Sequence, residues 1–121
     1  MIGHKNRPFY KRVGFALAGI GHAVRSEQSA RIQVGAFVIV VAALLILRPG
    51  PFWWALTILA SAGVFAAEMF NTAIEHLADH LHPDVHPHIR VVKDCAAAGV
   101  LIASLGAVAV AVALVVHLMA R

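Results

Sequence analysis

The sequence predicts an all-α integral membrane fold: three membrane-spanning helices and an N-terminal amphipathic surface helix. Three observations carry that prediction. Of the 121 residues, 60% are hydrophobic and only 13% charged, where a soluble domain carries about a quarter. Long apolar runs recur along the chain, punctuated by proline-containing turns. The basic residues are distributed unevenly between the two ends of those runs. Together they predict one membrane domain over residues 1–121.

The surface helix is expected over residues 8–25. Phe9, Val13, Ala16, Leu17, Ile20 and Val24 fall within one arc at about 100° per residue, with Lys11, Ala18, His22 and Arg25 opposite. Pro8 suits a helix start. An apolar face set against a basic one favours the headgroup layer; the competing reading is a soluble-type helix packed on the others. The segment lacks an uninterrupted apolar stretch and a small-residue cleavage site, so it is expected to be retained rather than removed as a signal peptide.

The first span is expected over residues 30–47. Its apolar run, 32–47, covers roughly 24 Å at 1.5 Å per residue, and upstream extension completes the crossing. Arg48-Pro49-Gly50-Pro51 makes a tight turn. The second span, expected over 52–81, begins with the interfacial aromatics Phe52, Trp53 and Trp54. A polar loop, HPDVHPH, follows over residues 82–88, and a third helix over 89–119.

Lys5, Arg7, Lys11, Arg12, Arg25, Arg31, Arg90 and Lys93 lie at one end of these spans; only Arg48 and Arg121 lie at the other. The positive-inside rule therefore predicts a multi-pass membrane protein with N-terminus and 82–88 loop cytoplasmic. The net charge of +4 is read through this placement and implies no nucleic-acid partner. The single cysteine, Cys95, excludes an intramolecular disulfide and a Cys-rich metal site.

All six acids, Glu27, Glu68, Glu75, Asp79, Asp84 and Asp94, fall at the basic end. Acids contribute little to topology, so their segregation points to a site. On the second span Glu68, Asn71, Glu75 and Asp79 lie at offsets 0, 3, 7 and 11, within an arc of roughly 80°. Glu68 lies within the apolar run. An ionisable group there costs at least about 2.5 kcal/mol and marks function by default; the plain alternative is an ion pair with Lys93 or Arg31. Clustered carboxylates suit Mg²⁺, which takes one or two of them together with phosphate oxygens. Lys93-Asp94 adds a cation for phosphate. These are parts for phosphoryl transfer, without a Walker loop. The competing function is a small proton- or cation-coupled transporter using Glu68. A zinc site at His76 and His80, four residues apart, is a weaker alternative.

The run Glu68-Met-Phe-Asn71-Thr-Ala-Ile-Glu75, then Asp79 and Lys93-Asp94-Cys-Ala-Ala-Ala-Gly99, resembles the prokaryotic diacylglycerol kinase and undecaprenol kinase family. Glu27 in RSEQSARIQ looks like that family's first-helix glutamate, and the likeness covers essentially the whole chain. The resemblance implies an ATP-dependent kinase acting on a membrane lipid hydroxyl, diacylglycerol or undecaprenol, and assembled as a homotrimer. It implies Glu68 as general base supported by Asn71, and Mg²⁺ held by Glu27 and Glu75. It further implies Lys93 and Asp94 at the nucleotide phosphates and a loop of Asp84, Val85 and His86 over the nucleotide. Asp79 matches a family acid. Pro8 stands where the family often has an arginine that touches substrate and nucleotide; Arg7, Lys11 or Arg12 must substitute for it. Phe15 stands for an aromatic near the adenine, keeping the stacking surface without a hydroxyl.

Overall fold

The computed structural model describes residues 3–121. A 3-10 turn, His4–Asn6, precedes four α-helices: α1 (Phe9–Ser26), α2 (Gln28–Leu47), α3 (Pro51–Leu81) and α4 (Pro87–Ala120). Three of them, α2, α3 and α4, are long and apolar enough to cross a membrane. The four expected elements are all present, with ends shifted by one or two residues.

Glu27 alone separates α1 from α2. Its backbone is extended, at φ −114° and ψ 121°, and it serves as C-cap of one helix and N-cap of the next. Its side chain makes no capping bond. Arg31 takes over the helix end: its guanidinium donates to the carbonyls of Val24 and Arg25 at 3.0 and 2.9 Å, which satisfies acceptors that the last turn of α1 leaves open.

The α2–α3 turn is built on two residues at positive φ, Arg48 at 52° and Gly50 at 108°. The second lies where a Cβ is unfavourable, so glycine there lets Pro51 begin α3 at once. The loop after α3 is shorter than the sequence suggests. Residues 87 and 88 are helical because Pro87 occupies the first turn of α4, with its φ already fixed for a helix. The His86 imidazole Nδ1 caps that turn, accepting from the His88 amide at 3.2 Å.

The main packing is an antiparallel α3–α4 hairpin. Ala96, Val100, Ala103, Ala107, Val110 and Leu114 are half-buried on α4, a three-and-four spacing that keeps one seam toward its neighbour. Gly99 and Ala111 lie off that seam and are exposed. Helix α2 leans on α3 and buries Leu44 and Ala30. At the far end Arg121 donates to the carbonyls of Leu47 and Arg48, at 2.5 and 3.1 Å, and His117 packs on Trp53 with ring centres 5.2 Å apart. Most large apolar residues on the spanning helices remain exposed, as lipid-facing surfaces are.

Helix α1 does not pack lengthwise on the others. Residues 9–20 are exposed throughout, and only the last turns, around buried Ala23, meet α2 and α3. Phe9, Val13, Leu17 and Ile20 thus form an uncovered apolar face. The expected amphipathic surface helix is present, and the soluble-type packing alternative is not.

Candidate active site

Glu68 is the residue most expensive to place in an apolar span. Glu68 lies 17 positions beyond Pro51, the first residue of α3, or about 26 Å along the helix. That depth is just short of the far edge of a hydrocarbon core about 30 Å thick. Glu68 is only 7% exposed. No cation meets it. Ser29 Oγ donates to Oε1 at 2.5 Å and Gln33 Nε2 donates to Oε2 at 3.2 Å. These donors are one turn apart on α2, so one face of α2 satisfies both oxygens. The ion-pair alternative from the sequence therefore does not hold. Arg31 is occupied at the end of α1, and Lys93 is bonded to Asp79.

Two turns further along α3, a second cross-link joins the same elements. His76 Nε2 lies 3.3 Å from Glu27 Oε1. His76 directly follows Glu75, so this contact brings the Glu27 carboxylate to the level of Glu75. The His22 ring of α1 packs edge-on against His76, with centres 5.5 Å apart and planes at 83°. Glu27 and Glu68 thus both lie where the α1–α2 junction and α2 meet α3, while Glu75, at the level of Glu27, has Lys93 of α4 within electrostatic reach. Between the cross-links stands Asn71, whose Oδ1 is buried without a partner. Buried polar atoms are nearly always paired, so an unpaired one needs an explanation.

The third link is to α4. Lys93 Nζ donates to Asp79 Oδ1 at 2.5 Å, and Glu75 is a second carboxylate within electrostatic reach of that ammonium. Lys93 and Asp94 border a cleft of about 230 Å³ that is also lined by Asp84, Val85, His86 and Arg90. The loop and the Lys-Asp pair expected to act together are therefore adjacent. Phe15 and Arg12 lie elsewhere. They line a separate cleft on α1 with His4 and Lys5, and Phe15 stacks on the His4 ring at 4.1 Å. Arg7 and Lys11 do not border either cleft. Among the described residues α1 makes no contact with α4, so one chain does not bring Phe15 to Lys93.

The donor set suits a hard divalent cation. Among the described residues no three His, Cys, Asp or Glu side chains converge as a metal cluster, which leaves the His76–His80 spacing without a zinc site. Glu27 and Glu75 are hard oxygen donors at one level of α3, of the kind Mg²⁺ takes one or two of while keeping water and phosphate oxygens rather than a full protein cage. The unpaired Asn71 oxygen is a further hard acceptor on the same face.

The family model of prokaryotic diacylglycerol kinase matches residues 14–115. The chain belongs to the prokaryotic diacylglycerol kinase family. It is accordingly a membrane lipid kinase. An undecaprenol kinase of Bacillus subtilis (strain 168) is 30% identical over 101 residues, 82% of each chain. A diacylglycerol kinase of Synechocystis sp. (strain ATCC 27184 / PCC 6803 / Kazusa) is 33% identical over 97 residues, which are 79% of this chain and 55% of that longer relative. No solved structure gives a significant match. Within this lipid kinase, sequence reasoning missed Ser29 and Gln33, and weighed His76 only as a zinc ligand. Ser29 and Gln33 did carry a signal: two polar residues four apart at the start of an apolar span, on the face that meets Glu68.

Proposed function

We propose that this lipid kinase transfers the γ-phosphoryl group of MgATP to the hydroxyl of a membrane lipid, with Glu68 as general base. One observation carries the reading. A buried carboxylate near the edge of the apolar span is held by Ser29 and Gln33, with no cation on it among the described residues, and Glu75 stands two turns further along the same face of α3. A carboxylate held by donors but not neutralised can accept a proton from an alcohol.

The lipid hydroxyl approaches Glu68 from the bilayer, and its proton passes to the carboxylate as the oxygen forms a bond to the γ-phosphorus. The bond from that phosphorus to the β,γ-bridging oxygen breaks. ADP leaves, and the lipid retains the phosphate. Glu27 and Glu75 hold Mg²⁺, which, when bound with ATP, neutralises charge on the phosphate oxygens. Asn71 presents its free oxygen to the same assembly. Lys93 and Asp94 receive the phosphates and their surroundings, and Asp84, Val85 and His86 cover the nucleotide. Asp79 orients Lys93. Phe15 offers the adenine a stacking surface, with Arg12 beside it. The separation of the α1 cleft from the α4 cleft within one chain is the reason to favour an assembly of several copies, and the family likeness supports a homotrimer. The uneven distribution of basic residues supports a site on the cytoplasmic side of the bacterial inner membrane.

The acceptor favoured here is undecaprenol, since the relative of that name aligns over most of both chains. Diacylglycerol is the second reading, favoured by the slightly higher identity of the other relative. The test is a mixed-micelle assay with labelled ATP and both lipids offered side by side. Label is expected in undecaprenyl phosphate ahead of phosphatidic acid. The reverse order selects the second reading. No transfer to either lipid by folded protein refutes the mechanism.

A further inference from the structure

We propose that His76 is a positioning residue that aims the Glu27 carboxylate at the metal. The inference rests on the reading that Glu27 is a metal ligand. Glu27 is the lone extended residue between two helices, and its side chain is spared from capping. A carboxylate on such a joint has several rotamers open to it. His76 restricts them. An ionised carboxylate only accepts hydrogen bonds, so the Nε2 atom 3.3 Å from Glu27 Oε1 must carry the hydrogen. A neutral imidazole in that tautomer is sufficient.

The contact occupies Oε1 and leaves Oε2 as the oxygen available to an ion. His22 fixes the imidazole in turn, since its ring meets the ring of His76 edge-on. Three segments therefore converge on one carboxylate: α1 through His22, the helix junction through Glu27 itself, and α3 through His76. Partners that orient metal-binding side chains typically contribute 10–100-fold to metal affinity. The tie is half-exposed, with side-chain exposures of 52% and 30% for His76 and Glu27, so the lower figure applies.

Reach distinguishes positioning from mere packing. The glutamine amide nitrogen extends as far from the backbone as imidazole Nε2, whereas the asparagine amide nitrogen stops near the level of Nδ1. The experiment uses the full chain in detergent micelles with a non-hydrolysable ATP analogue. Mn²⁺ binding is read by electron paramagnetic resonance, and Mg²⁺ titrations of turnover are run in parallel. H76N is expected to weaken Mn²⁺ binding about tenfold and to raise the Mg²⁺ concentration at half-maximal rate by a similar factor, with kcat at saturating Mg²⁺ nearly kept. H76Q is expected to bind Mn²⁺ within about twofold of the parent chain. E27Q is expected to weaken binding at least as much as H76N, and adding H76N to E27Q to cause no further loss. Parent-like Mn²⁺ affinity in H76N, or equal losses in H76N and H76Q, overturns the positioning role. Unchanged Mn²⁺ affinity in E27Q instead removes Glu27 as a ligand, and the underlying reading fails on its own terms.

Discussion

Replacing Glu68 by glutamine separates its chemical role from its structural one. The variant keeps the shape of the side chain but removes its ability to take a proton. The bond to Ser29 can persist, because the new amide oxygen still accepts. The bond to Gln33 cannot persist as it stands, since two amide nitrogens would then face each other. A half-turn of the Gln33 amide resolves this: it presents Oε1, which is buried and unpartnered in the parent chain. Two hydrogen bonds are kept, and the orphan acceptor is exchanged for an orphan donor, the turned Gln33 Nε2. Exchanging a charge-assisted bond for a neutral one costs roughly 1 kcal/mol, and removing a buried charge offsets part of that. The expected net change in stability is below about 1 kcal/mol, or about 4 °C in melting temperature for a chain of this size. Loss of a general base costs about 10²–10⁴ in rate. The assay is lipid phosphorylation by Glu68→Gln protein beside a melting curve in the same detergent. Activity within tenfold of the parent chain refutes the base assignment. A large fall in melting temperature parallel to the loss of activity refutes the amide-exchange argument and makes Glu68 structural.

Two further outcomes follow from particular side chains. Lys93→Met removes the donor to Asp79 and the cation beside the cleft; the KM for ATP is expected to rise at least about tenfold with the melting temperature unchanged, since the pair is exposed. An unaltered KM removes Lys93 from nucleotide binding. Thr57→Val deletes a buried hydroxyl that has no partner, and is expected to leave activity intact while raising stability by about 1 kcal/mol, read as a higher melting temperature. Destabilisation instead shows that Oγ1 finds its acceptor in a neighbouring copy.

Hydropathy and the proline turns made the helices legible, because lipid demands long apolar runs with every backbone bond closed internally. The acid stripe on α3 was equally legible, since one helix alone sets its spacing. Relations between helices were not. The pairing of Glu68 with Ser29 and Gln33, rather than with a cation, depends on how α2 rotates against α3. A serine and a glutamine in a polar-to-apolar transition look like ordinary boundary residues until that rotation is known. His76 was visible only as half of a His76–His80 pair, because its partner Glu27 lies 49 positions earlier. The start of α4 moved to Pro87 for a local reason: a proline reads equally as the end of a loop or the first turn of a helix.

The lengths of the spanning helices differ in a way that bears on the surrounding bilayer. With 20 residues, α2 reaches about 30 Å, whereas α3 and α4, with 31 and 34, reach about 46 and 51 Å. The longer pair can meet a thicker membrane by exposing less of their ends. Helix α2 has no such slack, being closed by the Arg48 turn at one end and by Glu27 at the other. Lipids with longer tails must thin around it or bury its polar ends. That mismatch falls on Ser29 and Gln33, the residues that hold Glu68, so membrane thickness bears directly on the geometry around the buried carboxylate.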